Sequence, residues 1–391
     1  MVMRGVSIRA LEWRARRFSD PADRLQFLRK NLSRRPAGRQ RFAFRRLPAT
    51  LAVLGAGLTT STFSWMPPKH IPVSRAETIS GVARRAPLAL TSDRSAEFVR
   101  KIWLVQSTPQ FDLYSNGLRI EDQYATSTAP RRYLTFANDP GGSVSRMQWQ
   151  TEPAGIVYHT TESHLAPFEE DENQSLRRAA EGLLEYVRRR HSYHFVIDRF
   201  GRVFRIVRES DYADHAGNSI WADRTRIYIN LNQSFFGVAF EASSRSDAAE
   251  SPVNAAQIYA ARILTEMLRA RYGIARSNCV AHAQVSVNPS NYAVGYHRDW
   301  AANLPFAALG LADNYKEPLP SVNVFGFEPD AGLMGGGESS MAEGLQAAIE
   351  QRGKDAAAEH LTVERYREKL QKRYRDAIRA LRGNGAYQEN N

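Results

Sequence analysis

Short runs of apolar residues between about residues 150 and 315 have the length and the bounding turns of buried β-strands. Three segments carry this pattern: GIVYHTT (155–161), YHFVIDRFGRVFRIV (193–207) and FFGVAFEA (235–242). The second segment is long enough for two strands. We expect them to be joined at Asp198–Gly201, because Gly201 suits a turn with positive φ.

Two segments of the same region place apolar residues at helical spacing. They are SLRRAAEGLLEYVRRR (175–190) and AAQIYAARILTEMLRARYG (255–273). Gly273 is expected to end the second helix, because glycine readily adopts the left-handed backbone found there. Strands that alternate with helices predict an α/β fold in which a mixed central β-sheet is flanked by helices. We assign residues 150–320 to this domain.

A shorter series of alternating runs precedes this domain. The runs are KIWLVQS (101–107), FDLYSNGLRI (111–120) and RYLTFA (132–137). Asn116-Gly117 within the second run is typical of a tight turn between strands. We therefore expect residues 96–149 to form a small β-rich extension, whose role does not follow from the sequence.

The chain changes in character after residue 320, so residues 321–391 are treated as a linker and a helical tail. LMGGGESS (333–340) has linker composition, and a helical stripe of apolar and aromatic residues follows it. The stripe consists of Val363, Tyr366, Leu370, Tyr374, Ile378 and Leu381. Such stripes usually pack on the protein's own core, and we favour that over binding of a partner protein, which stays open.

Positive charge is concentrated at the N-terminus. The 391-residue chain has a net charge of +12, and residues 1–46 form a basic arm with 14 Lys/Arg against Glu12, Asp20 and Asp23. Of the 53 basic and 41 acidic residues, 39 and 38 remain for the rest of the chain, which is nearly neutral. Because a nucleic-acid-binding domain carries basic residues on its folded surface, we expect no nucleic-acid partner.

No residue between Leu47 and Pro68 is charged, and this stretch follows the basic arm directly. An apolar run behind basic residues is typical of an export signal or of a short membrane anchor. We therefore expect residues 47–68 to export the chain or to anchor it in the cytoplasmic membrane, with residues 69–95 as a linker. The folded part would then lie in the periplasm or cell envelope. Whether the segment is cleaved stays open.

Cys279 is the single cysteine, which excludes an intramolecular disulfide framework and any zinc site with several cysteines. A metal site in this chain therefore needs histidine and carboxylate ligands. His159, His282 and the pair His297 and Asp299 lie in separate segments of the main domain. Two imidazoles and one carboxylate are able to form a zinc site that keeps one position open.

Five motifs occur in one order across this domain. They are YHTT (158–161), SYHFVIDRFGRVFRIV (192–207), DHAGNS (214–219), FFGVAF (235–240) and VAHAQV (280–285). Together they resemble the zinc-dependent type-2 N-acetylmuramoyl-L-alanine amidases and the related peptidoglycan-recognition proteins, over roughly residues 150–305. The resemblance implies a Zn²⁺ cofactor, a peptidoglycan or muropeptide substrate, and hydrolysis of the amide bond between N-acetylmuramic acid and L-alanine.

The resemblance also implies the zinc ligands. His159 corresponds to the family's first zinc histidine and His282 to its second. The third ligand is expected at Asp299 in GYHRDW (295–300), with His297 where the family has its catalytic lysine. This segment lacks the family's Pro-Gly and lies farther from His282 than expected, so His297 remains an alternative ligand. We favour Asp299, because only the carboxylate keeps the family's register.

Three catalytic candidates follow from the same resemblance. Tyr193 matches the tyrosine that begins the family's central hairpin, and a phenol there can donate a hydrogen bond to an oxyanion. Many family members have glutamate where this chain has Ala239, so Glu241, two residues on, is a substitute if the strand is regular. His297 is the stronger candidate for proton transfer, because an unperturbed imidazole has a pKa of ~6.5.

The motif DHAGNS resembles the family's substrate-cleft loop. We expect His215 and Asn218 to form hydrogen bonds with a sugar–peptide ligand and Trp221, close behind, to stack on it. A purely structural role competes for Trp221, since Gly217 alone would explain a closed loop there.

Two other functions stay open. The altered third-ligand segment and Ala239 are compatible with a non-catalytic peptidoglycan-recognition module that keeps the fold without turnover. A membrane-tethered scaffold, whose C-terminal helix binds a partner protein, belongs to another class. Bound zinc would separate the enzyme from the recognition module. The sequence does not decide between intact wall and recycled fragments as substrate, nor the oligomeric state.

Overall fold

The computed structural model of this chain describes residues 101–138, 146–243, 252–329 and 341–387. The predictions for the basic arm (1–46), the apolar segment (47–68), the linker (69–95) and the glycine-rich stretch (333–340) therefore lie outside the described residues. Within the described ranges, no helix combines the length and the apolar character needed to cross a membrane.

The strands are named β1–β15 in chain order. They are β1 (Leu104–Ser107), β2 (Phe111–Tyr114), β3 (Arg119–Glu121), β4 (Tyr133–Ala137), β5 (Met147–Gln150), β6 (Gly155–Thr160), β7 (Phe195–Ile197), β8 (Val203–Arg205), β9 (Ile220–Ala222), β10 (Arg226–Ile229), β11 (Phe235–Phe240), β12 (Cys279–Ala281), β13 (Val287–Asn288), β14 (Ala293–Val294) and β15 (Glu328–Pro329).

The helices are named in the same way. They are α1 (Asn173–Arg190), α2 (Leu231–Ser234), α3 (Ala255–Tyr272), α4 (His282–Val285), α5 (Pro320–Asn323), α6 (Ala342–Ala358) and α7 (Val363–Gly383). The helix α3 begins with a reciprocal capping box between Asn254 and Gln257 and ends at Gly273, which has φ +66°. Both helices predicted for the main domain, α1 and α3, are therefore confirmed.

The main sheet has eight strands in the order β1-β2-β3-β8-β7-β11-β6-β12. Its centre is parallel, because β11 pairs with β6 and β7, and β12 pairs with β6, all in the same direction. The hairpin β7–β8 is antiparallel, and Gly201 in its turn has φ +77°.

Helix α3 packs through Leu264 and Leu268 on the face of Ile156 and Phe236. Helix α1 packs on the other face. The predicted mixed sheet with flanking helices is confirmed.

The β-rich segment before residue 150 contributes to two sheets. Strands β1–β3 extend the main sheet, since β3 pairs in parallel with β8. Strands β4 and β5 join β9 and β10 in a four-stranded antiparallel sheet. The Asn116-Gly117 turn lies between β2 and β3, and Gly117 has φ +85°.

Helices α6 and α7 close over a small third sheet, β13–β14–β15. Glu328 in β15 forms ion pairs with Arg352 of α6 at 3.0 Å and Arg367 of α7 at 2.9 Å. Tyr374 of α7 packs edge-on against Phe327, with ring centroids 5.1 Å apart. Because β14 pairs with β15 and precedes residues 295–299, the C-terminal helices support the segment that carries Asp299.

The predicted helical stripe is largely buried against the protein's own core. Tyr366, Leu370, Tyr374 and Leu381 are buried, and Ile378 is half-buried. Val363 is the exception, because its side chain is 42% exposed at the start of the helix. The packing interpretation of the stripe is therefore confirmed for most of its residues.

Replacing Leu370 by alanine should lower the free energy of unfolding by ~2–5 kcal/mol, because a buried leucine side chain is removed from beside the Gly326 backbone. Val363→Ala on the same helix should change it by less than ~0.5 kcal/mol. Urea unfolding of both variants beside the parent protein measures the difference. Equal effects of the two substitutions would contradict the assignment of α7 to the core.

Candidate metal and catalytic site

The main sheet brings His159 and His282 together at one face. His159 is the fifth residue of β6, and Val280 of β12 pairs with Val157 of β6. His282 follows β12 directly, and continuing the same register places it beside His159. Both side chains are buried, and their ring centroids lie 4.4 Å apart. Parallel pairing of two strands that are distant in the sequence thus places the two imidazoles side by side.

Asp299 closes this cluster from a loop 17 residues beyond His282. One carboxylate oxygen, Oδ1, lies 2.8 Å from His282 Nδ1, and the other, Oδ2, lies 3.2 Å from His159 Nδ1. The Asp299 backbone is also held by a hydrogen bond, since the Ala283 N–H donates to the Asp299 carbonyl oxygen at 3.2 Å. Candidate ligand atoms of the three residues all lie within 4.8 Å of one another.

A backbone carbonyl determines which nitrogens of His159 and His215 carry hydrogen. His215 Nε2 lies 3.2 Å from the Phe235 carbonyl oxygen, and because a carbonyl only accepts, Nε2 must be the donor. A neutral His215 then accepts at Nδ1 from His159 Nε2, at 3.1 Å. His159 therefore presents an unprotonated Nδ1 to Asp299.

His282 has the equivalent arrangement. Its Nε2 lies 3.4 Å from the Ala216 carbonyl oxygen, which again acts only as an acceptor. In the neutral ring, the free lone pair is then on Nδ1, the atom that faces Asp299. Two nitrogen lone pairs and a carboxylate thus converge on one small volume, an arrangement that a cation stabilises.

Burial, and after it the neighbouring His282, lowers the pKa of His159 to about 4, so this ring is neutral at neutral pH. Burial alone would raise the pKa of Asp299. The neighbouring His282 and His159 outweigh it and hold the pKa of this carboxyl well below its usual range. The site therefore combines an ionised carboxylate with a neutral imidazole, the protonation states that metal binding requires.

The spacing of these atoms suits zinc. Tetrahedral zinc with bonds of ~2.1 Å separates its ligand atoms by ~3.4 Å. The two nitrogen–oxygen distances, 2.8 Å to Asp299 Oδ1 and 3.2 Å to Oδ2, lie within ~0.6 Å of that value, and the candidate ligand atoms all lie within 4.8 Å of one another. The donor set of two imidazoles and one carboxylate, with the second nitrogen of each ring held by another group, is also typical of zinc sites.

Two of the predicted catalytic residues lie beside this cluster. The Tyr193 ring centroid is 5.1 Å from that of His159, and Tyr193 has φ +67° just before β7. His297 is exposed and stacks on His282, with centroids 4.8 Å apart and an interplanar angle of 17°. The three-residue cluster contains Asp299 and not His297, as the sequence analysis favoured.

Glu241 does not join the cluster, so this expectation needs correction. Its carboxylate is buried and accepts a hydrogen bond from the Arg199 backbone N–H at 3.2 Å, in the β7–β8 turn. Strand β11 ends at Phe240, so the alternation that placed Glu241 on the site face does not extend to it. Ala239 does lie next to His159 in register, but it is fully buried in the cluster under α1.

The residues expected to bind substrate have different surroundings. Trp221 is 2% exposed and donates from Nε1 to Asn278 Oδ1 at 3.2 Å, so it packs in the core and is not available for stacking on a ligand. His215 is buried, with both ring nitrogens hydrogen-bonded. Asn218 is half-buried, and its Oδ1 accepts from the Tyr387 hydroxyl at 3.2 Å. Of the three, Asn218 alone has partial access to solvent.

Several residues that hold the site were missed by sequence analysis. Arg131 is buried and donates to the Asp211 carbonyl oxygen, beside the ring of His194. Asn232 accepts from two consecutive backbone N–H groups, those of His215 and Ala216. Nothing in the sequence distinguishes these two side chains. Gly237 did offer a signal, because a glycine inside a buried strand often marks a close approach by another group.

The candidate metal cluster lies within a segment that matches a known protein family. A family model described as N-acetylmuramoyl-L-alanine amidase matches residues 149–299. The matched segment contains all three residues of the candidate metal cluster. The search of curated proteins found no match.

Solved amidase structures are similar to part of the chain. AmiD from E. coli, in complex with the substrate anhydro-N-acetylmuramic acid-L-Ala-D-gamma-Glu-L-Lys, shares 23% identity, with a TM-score of 0.31 and coverage of 40% of this chain and 56% of that one. AMPDH3 from Pseudomonas aeruginosa, in complex with anhydromuramic pentapeptide, shares 21%, with a TM-score of 0.31 and coverage of 54% and 88%. LysC from Clostridium intestinale shares 21%, with a TM-score of 0.25 and coverage of 40% and 83%. The chain thus spans just over half the length of the AmiD chain.

Proposed function

We propose that this chain hydrolyses the amide bond between N-acetylmuramic acid and L-alanine in peptidoglycan or muropeptides, because residues 149–299 match a family model described as N-acetylmuramoyl-L-alanine amidase. The observation that carries the proposal is the convergence of His159 Nδ1 and His282 Nδ1 on the Asp299 carboxylate. Zinc held by these three residues would act as a Lewis acid that polarises the amide carbonyl and activates water.

Tyr193 is proposed to stabilise the oxyanion that develops when the amide carbonyl is attacked. Burial, and after it the charges of Asp299 and Glu162, raises the pKa of the Tyr193 phenol, so the hydroxyl keeps its proton at neutral pH. An O–H group that remains protonated is able to donate a hydrogen bond to a developing negative charge. Its ring position beside His159 supports this role.

His297 is proposed to pass a proton to the departing amine. Its ring is exposed and stacks on His282, so it lies at the solvent side of the cluster, where a substrate would enter. Neither Ala239 nor Glu241 offers a carboxylate to the site, which supports this role for His297.

The alternative function is a non-catalytic recognition module. It is favoured by the presence of Ala239 where many family members have glutamate. Such a module would bind wall fragments without turnover. The largely buried, ionised carboxylate between two imidazoles argues for a metal-dependent enzyme, because a binding surface for peptidoglycan has no need of that costly arrangement.

Removing either histidine ligand, by His159→Ala or His282→Ala, should abolish zinc retention and amidase turnover together, because two remaining ligands hold zinc far more weakly than three. Elemental analysis after dialysis and hydrolysis of a defined muropeptide measure the two quantities, with about one zinc per chain expected for the parent protein. Full zinc and full turnover in either variant would remove that residue from the ligand set. Wall-fragment binding by a zinc-free parent protein would favour the recognition module.

The roles of Asp299 and His297 should separate cleanly. Asp299→Ala should lose zinc, because the carboxylate is the charged ligand. His297→Ala should retain zinc and the fold but lose ~10²–10⁴-fold in turnover, the usual effect of a lost acid–base group. Zinc content and kcat of both variants, measured side by side, decide the matter. If His297→Ala lost zinc and Asp299→Ala kept it, the site would consist of three histidines.

We also propose that the folded part works outside the cytoplasmic membrane, on the basis of the apolar segment 47–68 behind the basic arm. A reporter that is active only outside the cytoplasm should be active when fused after Asn391 and silent when residues 1–68 are deleted. The fusion follows the last residue because α6 and α7 belong to the core. Activity of a cytoplasm-only reporter at the same junction would refute export.

A further inference from the structure

The loop residues His215 and Ala216 engage the outer nitrogens of both candidate ligand histidines. His215 Nδ1 accepts from His159 Nε2 at 3.1 Å, and the Ala216 carbonyl oxygen lies 3.4 Å from His282 Nε2. Two adjacent residues of one loop therefore contact both imidazoles on the side away from Asp299. This arrangement suggests that the loop orients the ligands and does not bind the substrate.

We propose that His215 is a positioning residue for the metal site, which holds His159 in the tautomer and orientation that direct its Nδ1 lone pair at the metal. The proposal deepens the proposed function and rests on it. It replaces the expectation that His215 binds substrate, because the ring is 8% exposed and neither ring nitrogen is left for a ligand.

Strand β11 is shaped to receive the His215 ring. A Cβ atom at Gly237 would lie 2.5 Å from His215 Cγ and 2.8 Å from its Cβ, closer than any side chain permits. The same strand begins with Phe235, whose carbonyl oxygen accepts from His215 Nε2. A glycine at this point therefore lets the imidazole lie directly against the sheet, between Phe235 and His159.

The loop backbone is also held in place. Asn232 Oδ1 accepts from the backbone N–H groups of His215 at 2.9 Å and Ala216 at 2.6 Å. The edge of the His194 ring approaches His215, with centroids 5.7 Å apart, and His194 Nδ1 accepts from the Gly237 N–H at 3.0 Å. The His215 ring thus has little freedom to turn, and its hydrogen bond to His159 has a defined direction.

The test is the zinc affinity of the full-length protein, measured by competition with a chromophoric chelator. His215→Ala should weaken zinc binding ~10–100-fold, the usual effect of losing an outer hydrogen-bond partner of a metal ligand. His215→Asn should recover most of the affinity, because the asparagine Oδ1 can accept where Nδ1 did. His360→Asn, an exposed histidine between α6 and α7, is the matched control and should bind zinc like the parent protein.

A zinc affinity of His215→Ala equal to that of the parent protein would overturn the proposal. If the KM for muropeptide were raised at the same time, His215 would be a substrate contact. Nitrogen-15 NMR of the histidine rings tests the tautomer directly, including the case in which His215→Ala fails to fold. The parent protein should show His159 protonated at Nε2 both with and without zinc, and protonation at Nδ1 would overturn the proposal. A parent protein that binds zinc without turnover would refute the proposed function alone.

Discussion

The largely buried carboxylate of Asp299 is the constraint on which the arrangement of the site depends. An ionised carboxyl group out of water is costly unless partners or a cation compensate it, and here its two neighbours are the imidazoles of His159 on β6 and of His282, which follows β12. Each neutral imidazole that presents a lone pair from Nδ1 carries its hydrogen on Nε2, so this outer nitrogen needs an acceptor of its own. The Phe235 and Ala216 carbonyl groups meet that requirement, through His215 in the first case and directly in the second. One charge thus accounts for the conformation of several segments.

The same charge explains why the loop that carries Asp299 is supported by additional strands and helices. Asp299 reaches the two histidines from a loop that has little regular structure of its own, and such a loop needs external support. Strand β14 supplies the start of that support by pairing with β15, and Glu328 of β15 is held by two arginines from the C-terminal helices. The position of the Asp299 carboxylate at the main sheet therefore depends on the packing of the C-terminal helices.

Hydrophobic periodicity predicted the elements that bury apolar residues, such as β6, β11, α1 and α3, because burial is what produces the pattern. The motif resemblance predicted His159, His282 and Asp299, which the fold does bring together. Prediction failed where the outcome depended on local geometry that periodicity does not encode. Glu241 lies beyond the end of its strand, and Trp221 found a hydrogen-bond partner in Asn278 within the core. The roles of residues 1–95 stay predictions.

The pairing of β14 with β15 has a consequence for where this molecule can be divided. The segment that matches the family ends at Asp299, whereas the strand and helices that brace it come from residues 328–383. A fragment trimmed to the family boundaries would expose one side of β14 and the aromatic surface that Tyr374 covers. In this chain the matched segment and the unit of folding therefore have different ends, and a division at residue 299 would separate a candidate ligand from its scaffold.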